Sequence, residues 1–365
     1  MVGADPSTER FVTAQMDPYA PSSLLERGAG VLIEYADTGS ADQLTELVNP
    51  ANDGMTTAST TSRHCILIAG RACMLPSPGA ASSHFVLDPG FPLPSVFRNA
   101  IRPALQLSLL DADAVAIHAA CVAMDGTAIA VAGWSESGKT ETALALMELG
   151  GRFVSDKWTV VGGDARAGTF PITVGVRGWV LDSLPQLRKA LPRVARVQLG
   201  SAGVAAAVMR SVRRPAAKGR VGRLVGETID RGIGLADRVA LTPTQIAAAY
   251  DQEMHPFDSS PLGTVVLLST VPGTAITVDE IDAGWAARRL ARSAAYERRG
   301  YFELFERARF ATADERPTPF RLIVEQREEA FLADVLVDVK LLRVRAPFPA
   351  DPRSIATAIL EHGGR

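Results

Sequence analysis

One eight-residue motif limits the fold of this chain more than any other feature. Residues 133–140 read GWSESGKT, which matches the pattern G-x-x-x-x-G-K-[ST]. The apolar run TAIAVAG leads into the motif, and the helix-forming run ETALALMELG follows it. This order predicts a buried strand, a phosphate-binding loop and a helix, which together make one α/β unit.

The spacing of the motif suits a polyanion. A phosphate-binding loop must turn backbone N–H groups inward, and Gly133 and Gly138 permit that close approach. The helix that follows offers unpaired N–H groups at its positive end. We expect Lys139 to reach the β- and γ-phosphates of ATP and the Thr140 hydroxyl to ligate Mg²⁺. The alternative is a strand-to-helix turn with an incidental lysine. The expected phosphate-binding residues are Gly133, Trp134, Ser135, Glu136, Ser137, Gly138, Lys139 and Thr140.

Beyond the motif, residues 114–175 resemble the catalytic core of HPr kinase/phosphorylase and its shorter relatives, which share a fold with phosphoenolpyruvate carboxykinase. The run GKTETALAL is the most specific part of the resemblance. His118, the Gly-Gly-Arg at residues 150–152 and Asp156 also fit the family.

The resemblance implies an α/β fold of the HPr kinase type, in which the phosphate-binding loop follows a strand of a mixed sheet. It assigns Lys139 and Thr140 to phosphate and Mg²⁺, His118 to the site edge, and Asp156 to the metal or to the role of base. It also implies transfer of the ATP γ-phosphate to a hydroxyl, often of serine, on a peptide, protein or small molecule. Some short relatives act in pathways for modified peptides.

Two residues depart from the family pattern. Glu136 stands where the family usually has glycine, and a carboxylate there costs affinity unless it points outward or meets a cation. Lys157 stands where the family usually has a second acid, and it would face away from Asp156 if the strand continued. These departures keep open an alternative, a catalytically degenerate recognition or scaffold protein that binds a precursor peptide or a partner enzyme.

Three further residues are candidates for the site. Two of them, Arg177 and His118, also have a structural interpretation. Arg177 could contact the γ-phosphate, because its planar fork suits phosphate, or it could form a surface ion pair. His118 lies on an apolar strand and could be a satisfied core histidine. Glu141 is expected to stabilise the start of the helix near its positive end.

Composition restricts the remaining function classes. The 365 residues are 47% hydrophobic and 21% charged, which is ordinary for a globular protein. A net charge of −2 does not suggest a nucleic-acid partner. We find no apolar run of membrane-spanning length, and three cysteines without a Cys-x-x-Cys motif argue against disulfides and zinc. We therefore expect a cytoplasmic protein that does not contact membranes and that could be a homo-oligomer.

The chain is expected to contain three regions. Residues 1–20 are predicted to be disordered, 21–110 to form an N-terminal α+β region, and 111–365 to form the nucleotide-binding domain. Within the last region, residues 188–223 hold ten Lys or Arg and no acid. This basic run is expected to be either a solvated helical face or mobile loop, or a contact surface for phosphates, for a peptide or protein acceptor, or for a partner enzyme.

Overall fold

The computed structural model describes most of the chain and divides it into two compact units. The described residues are 4–19, 30–39, 46–48, 56–59, 64–76, 83–193, 195–197, 199, 238–312, 320–347 and 349–363. The first unit comprises Met1–His118, Val160–Ala167 and Ile281–Leu341, and the second comprises Ala119–Thr159, Gly168–Glu280 and Leu342–Arg365. The division predicted at residue 110 differs from this one, because each unit is assembled from three separate segments.

The described helices are numbered in chain order. They are α1 Pro6–Met16, α2 Leu93–Val96, α3 Arg102–Ser108, α4 Lys139–Glu148, α5 Pro185–Ala190, α6 Pro243–Ala248, α7 Ala283–Glu297, α8 Arg299–Thr312, α9 Phe320–Val335 and α10 Pro352–Gly363. A π-helical segment, Phe97–Ile101, lies between α2 and α3. Short 3₁₀ helices span Leu109–Ala112 and Gly178–Ser183.

The described strands are likewise numbered in chain order. They are β1 Val31–Tyr35, β2 Glu46–Val48, β3 Thr56–Ser59, β4 His64–Ile68, β5 Arg71–Met74, β6 Ser83–Leu87, β7 Ala114–Ile117, β8 Ala119–Met124, β9 Thr127–Gly133, β10 Arg152–Ser155, β11 Thr159–Gly162, β12 Arg166–Thr169, β13 Val174–Arg177, β14 Arg238–Leu241, β15 Ser259–Thr270, β16 Thr277–Glu280 and β17 Lys340–Ala346.

The second unit is built around a mixed sheet. Strand β8 pairs antiparallel with both β10 and β9, and β9 pairs in parallel with β15. Strand β16 runs antiparallel to β17, which also pairs with β15. The predicted α/β class with a mixed sheet is therefore confirmed.

Helix α4 is held on this sheet by its apolar residues. From Ala143 to Met147 every residue is buried in the core of the second unit, together with Val131 of β9 and Ile359 of α10. Burial of aliphatic side chains stabilises such a core by roughly 1.5–3 kcal/mol per side chain. The start of α4 is thereby fixed against the carboxyl end of β9.

The first unit contains a six-stranded sheet in the order β1-β6-β5-β4-β3-β2. Strand β1 pairs in parallel with β6, and the neighbouring pairs from β6 to β2 are antiparallel. A second core joins this sheet to helices of the same unit, through residues such as Phe85, Phe97 and Phe305.

The start of the chain differs from the sequence prediction. Residues 1–20 were expected to be disordered, whereas Pro6–Met16 form α1. The Asp5 side chain accepts hydrogen bonds from the Ser7 and Thr8 backbone N–H groups, and a proline occupies the first turn. Val12 and Met16 then bury themselves in the core of the first unit.

Within the described part of the chain, no helix is long and apolar enough to cross a membrane.

Candidate functional site

The motif forms the predicted strand, loop and helix, all within the second unit. Strand β9 ends at Gly133, and α4 begins at Lys139, so residues 134–138 form the loop between them. The end of β9 is fixed by its parallel neighbour, because Gly133 pairs with Leu268 of β15.

The two motif glycines are required for different reasons. A Cβ atom at Gly133 would lie 2.6 Å from both the Leu268 carbonyl oxygen and the Ser137 Oγ, so a larger residue cannot fit. Gly138 is the N-cap of α4 and has a φ of +90°, a conformation that glycine adopts without steric cost. No side chain caps the helix at this residue, so its first N–H groups face the loop.

Lys139 lies inside the loop. Its Nζ donates hydrogen bonds to the Gly133 carbonyl at 3.2 Å and to the Trp134 carbonyl at 2.6 Å, and the residue is 7% exposed. The ammonium is thus held against the backbone of the first two motif residues.

Thr140 and Asp156 meet at the base of the loop. The Thr140 Oγ1 donates a 2.7 Å hydrogen bond to the Asp156 Oδ1, and Asp156 is 5% exposed. Two of the predicted site residues, sixteen positions apart, are therefore brought into direct contact.

A tight turn after β10 aims Asp156 at Thr140. The Ser155 Oγ donates to the Trp158 carbonyl and accepts from the Phe170 backbone N–H at 3.3 Å. The Trp158 N–H donates to the Asp156 carbonyl at 2.7 Å, with Lys157 between them at a φ of +63°. A left-handed lysine costs about 1–2 kcal/mol, so the surrounding contacts must hold this turn in place.

The environment of Asp156 raises the pKa of its carboxyl group. Burial is the main cause, and the nearby Glu141 acts in the same direction. The hydrogen bond from Thr140, the Lys157 backbone N–H and the charge of Lys139 lower the pKa and offset part of this rise. Perturbed carboxyl groups of this kind are typical of functional sites.

The turn corrects the expectation for Lys157. The sequence allowed Lys157 to face away from Asp156 on a continuing strand, but β10 ends at Ser155. The Ser155 contacts bend the chain immediately, so the alternation of a strand does not apply to these two residues. Lys157 is half-buried in the bend.

Glu136 and Arg177 form an ion pair at the outer side of the loop. The Arg177 Nη2 lies 3.2 Å from the Glu136 Oε1, and the two side chains are 43% and 78% exposed. Glu136 also has a φ of +63°, a region that favours glycine. Both conditions for a tolerated carboxylate are met, since it points outward and contacts a cation. The surface ion pair expected as the alternative for Arg177 is the one observed.

The remaining loop residues differ in exposure. Trp134 and Ser135 are exposed, and Trp134 reaches 52%. Ser137 has a buried Oγ for which the described residues provide no hydrogen-bond partner. Glu141 is half-buried in the first turn of α4, next to the positive end of the helix, as expected.

His118 belongs to the first unit and lies between β7 and β8. Its Nδ1 is 3.1 Å from the Ser293 Oγ, and the residue is 3% exposed. This contact is the kind expected of a core histidine. The role of His118 at the edge of the site stays a prediction.

Only the first part of the basic run lies in the described residues. Arg188, Lys189, Arg193 and Arg196 are exposed, and Arg188 pairs with Asp182 at 3.0 Å. Four apolar residues spaced by four, at positions 187, 191, 195 and 199, are buried, whereas Val197 is exposed. This pattern is that of a solvated face. The basic residues from Arg210 to Arg223 lie outside the described residues.

Two residues that position the site were not predicted. Ser155 forms the turn described above, and its place beside Asp156 in VSDKW was the only signal for it. Gln252 accepts from the Phe153 N–H at 2.9 Å and donates to the Gly151 carbonyl at 2.8 Å, which fixes the start of β10. No local pattern could reveal a contact that spans about 100 residues of chain.

We predict that Asp156→Asn stabilises the folded protein at neutral pH. The folded state raises the pKa of Asp156, so ionising this carboxyl removes stability as the pH rises above its unfolded value. An asparagine avoids that cost and can still accept the Thr140 hydrogen bond. Urea unfolding at several pH values should show that the free energies of unfolding of the variant and the wild type converge as the pH falls and Asp156 becomes protonated.

The exposed Asp258 provides a matched control, because Asp258→Asn should leave stability nearly unchanged at every pH. A less stable Asp156→Asn variant at neutral pH would contradict the assignment of a burial cost to this carboxylate.

Comparison of the chain with protein-family models and with curated proteins finds no match. Its function must therefore be inferred from the loop, from Lys139 and from the contact between Thr140 and Asp156.

Proposed function

We propose that this chain binds ATP with Mg²⁺ at Gly133–Thr140 and transfers the γ-phosphate to a hydroxyl group. The observation that most supports the proposal is the hydrogen bond between Thr140 and Asp156 at the base of the loop. A hydroxyl and a carboxylate in contact beside a helix N-terminus are the oxygen groups that would hold Mg²⁺ next to bound phosphates.

The loop has the features that a triphosphate requires. Gly133 permits the tight backbone packing, and the uncapped start of α4 offers N–H donors. The buried Ser137 Oγ has no partner, so a phosphate oxygen could supply one. Lys139 is satisfied by two carbonyl groups of its own loop, and its ammonium could exchange those contacts for phosphate oxygens.

The residues also fit Mg²⁺. No group of three or more His, Cys, Asp or Glu lies together among the residues that the structure describes, so a site made wholly of protein ligands is not found there. Mg²⁺ usually takes one or two protein ligands and keeps water and phosphate oxygens for the rest. Thr140 and Asp156 would provide the protein ligands. When bound, the ion neutralises charge on the phosphates.

Catalysis of phosphoryl transfer is mainly positioning and charge stabilisation. Lys139 would stabilise negative charge at the phosphates, and Arg177 could join it after leaving Glu136. Asp156 would orient the Thr140 hydroxyl and either hold the metal or accept the proton of the acceptor hydroxyl. The raised pKa of Asp156 suits a proton acceptor better than an exposed carboxylate would.

The proposed reaction class and acceptor follow the resemblance to HPr kinase/phosphorylase. The acceptor would be a hydroxyl, often of serine, in a peptide, protein or small molecule, and a modified-peptide pathway is one setting for it. A cytoplasmic location would supply the ATP. The exposed start of the basic run is available to an acidic acceptor or a partner enzyme.

A second function is favoured by two observations. Lys157 occupies the place of a second acid beside Asp156, and the guanidinium of Arg177 is engaged in an ion pair with Glu136. A protein that binds a nucleotide and recognises a precursor peptide or partner enzyme, without transferring phosphate, would tolerate both features.

The proposal is tested by phosphate transfer from MgATP to serine-containing peptides and to small alcohols, followed by mass spectrometry. The wild-type chain should form a phosphorylated product, and Asp156→Asn should lower the rate by about 10²–10⁴-fold, the usual contribution of a positioned base. Asp258→Asn is the control with unchanged rate. MgATP binding without product from any acceptor would favour the recognition protein.

We also predict that Glu136→Gln tightens MgATP binding at low salt by about two- to five-fold. The substitution removes a negative charge beside the phosphates and releases Arg177, and exposed pairs contribute about 0.2–1 kcal/mol. Isothermal titration calorimetry at two salt concentrations measures the effect, which should shrink at high salt.

Asp182→Asn breaks the comparable exposed pair with Arg188 and should not change the affinity for MgATP. Weaker binding by Glu136→Gln at low salt would show that Glu136 helps to hold the nucleotide and would contradict this prediction.

A further inference from the structure

Two arginines and a glutamine line one side of a helical segment in the first unit. Arg98 lies in the π-helical segment, Arg102 begins α3, and Gln106 follows one turn later. Residues spaced by four are neighbours on a helix surface. We call these three residues the Arg98–Gln106 stripe. π-Helical turns are rare and often occur at functional sites.

Arg102 carries a positive charge into a partly enclosed position. Its Nη2 donates to the Gln15 Oε1 at 2.8 Å, and its guanidinium carbon lies 5.4 Å from the centre of the Phe97 ring. Its Nε is buried, and no acceptor for it is found in the described part of the chain. None of these contacts supplies negative charge.

The acid–base behaviour of Arg102 agrees with this geometry. Burial, together with the neighbouring charge of Arg98, lowers the pKa of Arg102 to about 10. A nearby carboxylate would act in the opposite direction, and none among the described residues contributes. The surroundings of Arg102 therefore disfavour its charged form, and no described carboxylate compensates for this effect.

The same unit contains a buried arginine whose charge is paired with a carboxylate. Arg298 is 1% exposed, and its Nη2 donates to the equally buried Glu328. Buried charges in proteins are ordinarily paired in this way. The fold can therefore supply a carboxylate to a buried arginine, whereas no described residue supplies one to Arg102.

Gln106 adds an independent observation. The residue is 1% exposed, yet neither its Oε1 nor its Nε2 has a hydrogen-bond partner among the residues that the structure describes. A buried amide without partners is costly, and native structures contain few of them. An amide nitrogen one turn from Arg102 offers two donors to an oxygen ligand.

We propose that the Arg98–Gln106 stripe binds a small oxyanion, a phosphate or a carboxylate group. Arg102 supplies an enclosed guanidinium, Arg98 supplies an exposed one at the open end, and Gln106 donates from its amide. A phosphate or carboxylate matches the planar fork of arginine and accepts several donors at once. The site belongs to the first unit and does not depend on the proposed nucleotide site.

The test uses the full chain with Lys139→Ala, which removes the main cation of the loop from the measurement. Thermal unfolding is followed in sodium phosphate, sodium acetate and sodium chloride at equal ionic strength. We expect a higher Tm in phosphate or in acetate than in chloride, and the responding salt identifies the anion class. Adding Arg102→Gln or Gln106→Leu should reduce that rise.

Arg327→Gln is the matched control, because Arg327 is an exposed arginine of the same unit that pairs with Asp111. General salt effects act on all variants alike, so the rise should persist in this control. An equal rise in Arg102→Gln, Gln106→Leu and the control would overturn the proposal, as would the absence of any rise. If Arg102→Gln does not fold, Arg98→Gln takes its place, and an unchanged rise in that variant overturns the proposal.

Discussion

The hydrogen bond from Thr140 to Asp156 is the contact on which the candidate site depends. It joins the first turn of α4 to the residue after β10, and β8, which pairs with both β9 and β10, holds these two parts of the sheet side by side. The loop can pack tightly at Gly133 because glycine has no side chain, and the neighbouring Leu268 carbonyl and Ser137 hydroxyl leave no space for one. If either element shifted, the Thr140 hydroxyl and the Asp156 carboxylate would no longer be within hydrogen-bond distance.

Charge balance explains why the polar groups of the loop are bonded to one another. Asp156 is buried, and the cost of its charge is reduced by the Thr140 hydroxyl and by Lys139 nearby. Lys139 is in turn satisfied by two loop carbonyl groups. An anion that entered the loop would meet N–H donors, an ammonium and the buried Ser137 hydroxyl, while Glu136 stays outside with Arg177.

The structural features that were predicted from the sequence are those determined by local sequence patterns. The strand, loop and helix around residues 133–140 follow from apolar runs, two glycines and the start of a helix, and all three elements are present. The contact between Thr140 and Asp156 could be expected only through the resemblance, because spacing along a chain does not place two elements together.

The parts that were not predicted depend on contacts between distant residues. The bend at Lys157 needs the side chain of Ser155, and the start of β10 needs Gln252 from far along the chain. The two units are each built from three chain segments, which composition along a sequence does not reveal. The helix at the start of the chain depends on burying Val12 and Met16 in a core made largely of later residues.

The measurement that most directly tests the central claim is the Mg²⁺ dependence of ATP affinity in Thr140→Val, determined by calorimetry. If Thr140 and Asp156 form the metal site, Mg²⁺ should tighten ATP binding to the wild type, and this gain should be lost in the variant. Thr142→Val is the matched control, because the Thr142 hydroxyl is buried in the same helix and has no partner. An equal gain from Mg²⁺ in Thr140→Val and in the wild type would contradict the account.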